Sequence, residues 1–268
     1  MADRILLHLG LPSTGTRSLP RRLGADHEGL ARAGLSCPGW APDAQELACH
    51  DLLDVAVGDV PDREVVGAWH RLVELASRAP GTAVLGADLL AGADPEAAAR
   101  ALADLAPAEV HLVVTVRDLA RQLAAAWQQD VRGAAATRSC PLSFARFLDA
   151  AGPDPDVTRW QADAFWYRQD VPAVLRRWGA DAAPDRVHVV VVPPAGSRPG
   201  LLDRRLAGLL GVGPELLGPE RSLPCADPVP ELPAEHRDWV AARASRTVAD
   251  LAAAGYAVTG DLAELAVP

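Results

Sequence analysis

Residues 4–19 read RILLHLGLPSTGTRSL. The apolar run Ile5 to Leu9 has strand length and meets the glycine turn Gly10-Leu-Pro-Ser-Thr-Gly15, followed by Thr16, Arg17 and Ser18. A strand, a glycine loop and a helix start in that order can cradle an anion. Gly10 and Gly15 adopt backbone conformations denied to other residues, which lets successive amides turn inward. A helix beginning near Thr16 adds its dipole, and Thr14, Thr16 and Ser18 add hydroxyl donors. The spacing G-x-x-x-x-G is that of a nucleoside-triphosphate loop, yet the lysine and threonine that should follow are Thr16 and Arg17. An ordinary ATPase or GTPase is therefore disfavoured. The competing reading is a plain strand-to-helix turn.

Outward from this stretch, further strands are expected at Ala83 to Leu85, Val110 to Val116 and Val187 to Val192. Continuous apolar runs of this kind mark strands covered on both faces. Helical patterns separate them at Thr16 to Ala33, Asp62 to Arg78, Pro95 to Leu105 and Leu119 to Arg132. Others follow at Ala164 to Trp178, Gly200 to Leu210 and Pro233 to Ala254. Asp94 before Pro95 is a good N-cap with proline in the first turn. The alternation predicts an α/β fold, three-layer α/β/α with a central parallel sheet, in a single domain over 1–268. Ser36 to Gln45, Gly152 to Asp156 and Leu217 to Pro233 read as long loops. Ligands of such sheets bind at the carboxyl ends of the strands.

Composition narrows the function classes. The 268 residues are 49 % apolar, which excludes a disordered chain. All 26 cationic residues are arginine, so no lysine can be catalytic and a fixed positive charge must come from arginine, a helix terminus or a metal. The net charge of −9 argues against a nucleic-acid or anionic-membrane partner. No apolar run approaches the roughly 18 residues of a bilayer span. Charged Asp3 and Arg4 lead straight into the first strand, so no signal peptide is expected. Cys37, Cys49, Cys140 and Cys225 form no C-x-x-C pair; metal or disulfide roles stay open, but the expectation is four buried thiols in a cytoplasmic protein, with no metal.

A second stretch, HLVVTVRDLARQLAAAWQQDVR, carries an apolar strand that ends in Arg117 and Asp118. Arginine at a strand exit suits a bidentate grip on phosphate or carboxylate. The alternative is a salt bridge from Arg117 to Asp118. The two stretches, with FWYRQDVPAVLRRWG and DRVHVVVVPP after them, resemble the P-loop sulfotransferases, above all bacterial ones with G-L-P-K-T-G-T near the start. The resemblance covers most of the chain and implies 3′-phosphoadenosine 5′-phosphosulfate (PAPS) as sulfuryl donor and a small-molecule hydroxyl or amine as acceptor. It also implies that Gly10, Ser13, Thr14, Gly15, Thr16, Arg17 and Ser18 cradle the 5′-phosphate and that Arg117 holds the 3′-phosphate. ERSLPC looks like a segment closing over the nucleotide, which adds Arg221 and Ser222. His50, in ACHDLLD, would be the general base, and Asp88 keeps a carboxylate where relatives often have a His-Glu pair. A plain helix-surface or half-buried histidine is the other reading of His50. His8 is expected as a core position near the site, and Trp40, Trp127 and Trp166 as core or as lining of an apolar acceptor pocket.

The chain departs from the family pattern at three positions. Ser13 stands where the loop lysine belongs, Ala125 where a serine eight residues after the arginine completes the 3′-phosphate grip, and Asp88 follows alanine, not histidine. Losing one donor to the leaving oxygen typically costs roughly 2.7–4 kcal/mol of barrier. Arg17 is the cation that could compensate. Three readings stay open: a PAPS-dependent sulfotransferase, an enzyme on the same scaffold turned to another reaction, and a noncatalytic binding protein.

Overall fold

The computed structural model describes residues 2–14, 19–39, 43–56, 62–137, 140–152, 165–180, 183–218 and 230–267. Six parallel strands form one sheet: β1 (Arg4–His8), β2 (Leu35–Ser36), β3 (Thr82–Gly86), β4 (Glu109–Val116), β5 (Val187–Val191) and β6 (Ala257–Thr259). Their order across the sheet is β2-β3-β1-β4-β5-β6. β1 is central, with Leu6 level with Val84 on one side and His111 on the other.

Alternate residues of the four long strands enter two different cores, as parallel strands covered on both faces require. Ile5, Leu7, Leu85, Val114 and Val189 pack under α3 (Ala44–Leu53), α5 (Ala68–Arg78), α6 (Pro95–Asp104), α9 (Val171–Arg177) and α11 (Arg237–Ala253). Leu6, Val84, Val113 and Val190 pack instead against α1 (Leu19–Leu23), α2 (His27–Arg32) and α10 (Leu201–Leu210). The result is helix, sheet, helix, the expected three layers. A side cluster joins α7 (Leu119–Thr137) and α8 (Phe144–Ala151) to α11 through Leu123, Phe147, Leu148 and Val240.

The helix predicted from Pro95 starts where its cap says, whereas the pattern over 16–33 is described as α1, a 3₁₀ turn and α2, and that from Pro233 becomes α11 only at Arg237. Asp94 accepts the Ala97 amide at 2.7 Å, with Pro95 in the first turn. The pattern over 62–78 is divided into α4 (Asp62–Val65) and α5, because Gly67 takes a left-handed conformation at φ 75° and the Asp51 carboxylate accepts its amide and that of Trp69. Asp170 likewise interrupts the pattern over 164–178 by capping α9 through the Ala173 amide at 3.1 Å. The stretch expected as a loop up to Gln45 gives way to α3 at Ala44. β2 and β6 are edge strands, too short to show as apolar runs. No described helix is long and apolar enough to cross a membrane.

Candidate active site

The strand order fixes where a ligand can go. From β1 the chain builds β2 and β3 on one side, then crosses to β4 on the other, so the direction of winding reverses between β1 and β4. In open parallel sheets the ligand crevice lies at the carboxyl ends of the two strands flanking such a reversal. Those ends carry residues 9–14 and Arg117-Asp118, the two stretches singled out by sequence.

The ladder between β1 and β4 runs on into the loop. Leu9 donates to Val113 O at 2.9 Å, Thr115 to Gly10 O at 2.7 Å and Leu11 to Thr115 O at 3.3 Å. Gly10 has φ 100°, and a Cβ there would lie 3.0 Å from the Asp88 Cα. Only glycine lets the loop cross that close to the chain leaving β3. Ser13 turns the chain at φ 66°, in the left-handed region. Beneath the turn, the Thr14 hydroxyl donates to Leu11 O at 2.7 Å and meets the Thr115 hydroxyl at 2.6 Å. The Thr115 hydroxyl also reaches Gly10 O at 3.1 Å, and His8 Nε2 lies 3.3 Å from it. Burial pulls the His8 pKa down to about 4, so the ring is neutral at pH 7. The loop thus rests on an uncharged polar column.

Arg117 does not pair with Asp118. Asp118 is buried and caps α7: its carboxylate accepts the Arg121 amide at 2.9 Å and also binds the Arg121 guanidinium. Arg121 in turn donates to Pro193 O, beyond β5, at 2.9 Å. Arg117 turns back to the loop, donating from Nη2 to Ser13 O and from Nε and Nη2 to Gln122 Oε1 at 3.3 and 3.2 Å. Burial first, and then the Arg121 charge, lower the Arg117 pKa to about 10, which leaves it cationic at neutral pH. Gln122 donates to Pro12 O at 2.5 Å and to Gln169 Oε1 at 2.7 Å. Ser13 Oγ donates to Gln129 Oε1 at 2.8 Å. A shallow pocket borders this group, with Trp166 and Asp170 on its far wall and the Arg243 guanidinium 4.3 Å over the Trp166 ring.

Asp88 is buried and opens the short 3₁₀ turn Asp88–Gly92 against the loop. Its charge adds to burial in pushing the Cys49 thiol up, so Cys49 is inert; Cys37 is buried too, but Cys140, expected to be buried, is exposed, and Cys225 lies outside the described residues. His50 sits in the last turn of α3 with Nδ1 3.2 Å from Val55 O. The structure therefore brings Gly10, Ser13, Thr14, Asp88 and Arg117 together, and gives His50 a local partner at the end of its own helix. Ala125, midway along α7, supplies no hydroxyl. Gly15, Thr16, Arg17, Ser18, Arg221, Ser222 and Trp40 lie outside the described residues. Gln122, Gln129 and Thr115 were not singled out by the sequence reading. The signal for Gln122 was a polar residue five places after the arginine, on the helix face that carries Leu119, Leu123 and Ala126 into the protein.

No protein-family model matches the chain, and no curated protein does either. Among solved structures, the chain is similar to the crystal structure of a sulfotransferase from Alicyclobacillus acidocaldarius, at TM-score 0.59 and 17 % identity, over 95 % of this chain and 96 % of that one. Likeness over nearly the full length of both chains, at that identity, shows a shared architecture: the chain has a sulfotransferase-like fold.

Proposed function

We propose that this protein transfers a sulfuryl group from PAPS to a hydroxyl or amine of a small molecule. The observation that supports this reading best is the contact of Arg117 with the loop at Ser13 O, at the reversal point of a sulfotransferase-like fold. The donor carries two phosphate groups, and the residues present suit them: loop amides for the 5′-phosphosulfate, the remaining Nη1 edge of Arg117 for the 3′-phosphate. In the reaction the acceptor oxygen or nitrogen bonds to sulfur while the sulfur–oxygen bond to the 5′-phosphate breaks, releasing the 3′,5′-bisphosphate. Negative charge grows on the bridging oxygen, where a fixed cation helps the transition state most. With no lysine in the chain, that charge falls to Arg17, four residues after Ser13. Asp88, packed against Gly10, is our candidate for the acceptor's proton; His50 is the alternative base.

Calorimetry with adenosine 3′,5′-bisphosphate tests the binding half, and release of that product from PAPS with hydroxyl and amine acceptors tests the transfer half. A second reading, a repurposed or noncatalytic relative, is favoured by Ser13, Ala125 and Asp88 standing at three motif positions at once. Binding without transfer to any acceptor selects it. Absence of binding overturns the sulfotransferase reading.

A further inference from the structure

We infer that Gln122, on α7, and Arg117, at the exit of β4, orient the phosphate loop by each holding one of its carbonyls, which turns two successive amides toward the anion; the inference rests on the reading above and deepens it. Gln122 is 3 % exposed, and all its hydrogen-bonding capacity is engaged. Nε2 donates to Pro12 O and Gln169 Oε1, and Oε1 accepts from Arg117. The amide cannot be turned over: its oxygen would then face two acceptors and its NH₂ group a guanidinium. Gln122 therefore has nothing left with which to touch a ligand. It is a positioning residue.

What it positions follows from peptide geometry. The Pro12–Ser13 and Ser13–Thr14 bonds are trans. In a trans peptide the C=O and N–H point in opposite directions. Gln122, from α7, fixes Pro12 O, and Arg117, from the exit of β4, fixes Ser13 O. The amides of Ser13 and Thr14 must then point away from those two side chains. The left-handed Ser13, at φ 66°, is a conformation in which neighbouring amides form an anion-binding concavity. Released from the clamp, either peptide could rotate and offer an anion a carbonyl oxygen in place of an N–H. In a loop without lysine, the direction of these two dipoles carries more of the affinity than it otherwise would.

The test uses Gln122→Met, which keeps the length of the side chain and loses both donors without adding a charge beside the anion, and Gln122→Leu, which is shorter as well. Each is titrated by calorimetry with adenosine 5′-monophosphate, adenosine 3′,5′-bisphosphate and adenosine 3′-monophosphate, after urea unfolding has shown a folded protein. The clamp predicts that both 5′-phosphate ligands weaken by the same factor, about tenfold or more, the worth of one misdirected hydrogen bond to a charged group. The 3′-monophosphate, which meets neither of the two clamped amides, should weaken by a smaller factor than either. A folded variant that binds the 5′-monophosphate as wild type does overturns the inference, as does a loss confined to ligands bearing a 3′-phosphate. Wild-type protein that binds neither 5′-phosphate ligand overturns the sulfotransferase reading itself, a result visible before any variant is made.

Discussion

Acidification should act on the column beneath the loop before it acts on the loop. His8 is enclosed beside β3 and β4, and burial pulls its pKa from an ordinary 6.5 to about 4. The unfolded chain takes up a proton at this ring as the pH falls below about 6.5, while the folded chain resists until about 4. Between those values the unfolded state binds more protons, so stability present above pH 6.5 is lost as the pH falls. At 1.36 kcal/mol per unit the loss from this one ring reaches about 2.5 kcal/mol by pH 4.5. His188, also lowered by burial and then by His111 and Arg4, slopes the same way. The measurement is therefore a difference: urea unfolding of wild type and His8→Gln at half-unit steps from pH 7.5 to 4.5. Glutamine keeps a donor for the Thr115 hydroxyl and does not titrate. The wild-type curve should fall more steeply, the gap widening from about pH 6.5 downward. Parallel curves would refute the argument that His8 is held neutral by burial.

Arg117→Ala should weaken adenosine 3′,5′-bisphosphate more than the 5′-monophosphate, because it frees a loop carbonyl in both cases and removes a 3′-phosphate contact in one; equal losses by calorimetry would rule out that contact. Ser13→Lys restores a loop cation and should raise product release from PAPS up to about a hundredfold, with no added backbone cost because Ser13 already holds a Cβ in the left-handed region; unchanged turnover would mean that the loop charge is already supplied. Gly86→Ala should fail to fold or lose at least about 3 kcal/mol, since its Cβ would lie 2.1 Å from His8 O at φ 146°; a variant with the wild-type urea midpoint would show that β1 and β3 do not approach as described.

The sheet was legible in sequence where burial on both faces removes polar residues. β1, β4 and β5 are such runs, and their order around the glycine turn and Arg117 pointed to the crevice. β2 and β6 escaped because edge strands can be short and partly exposed, leaving no pattern to read. The start of α3 was hidden by the proline and aspartate before it, and its N-cap Asp43 is left-handed without a side-chain cap. At the site, residue type was legible and pairing was not. Arg117 and Asp118 are adjacent in sequence, yet a strand exit sends them apart, one to the loop and one to the cap of α7. Gln122 left only a faint signal, a polar residue on a buried helix face, because an amide on a helix carries no chemistry of its own. Its meaning comes from Pro12, brought beside it by the sheet.

The hydrogen bonds that carry the β1–β4 ladder past His8 into Leu9, Gly10 and Leu11 make the beginning of the loop part of the central pairing. Segments of that kind exchange their amide hydrogens only when the whole domain opens, whereas most ligand-binding loops belong to the first regions to fray. The start of the phosphate loop should then lose its shape together with the fold, in one transition. For anyone evolving this scaffold, substitutions that erode the core elsewhere would spare that shape until the melting point itself comes down to the working temperature.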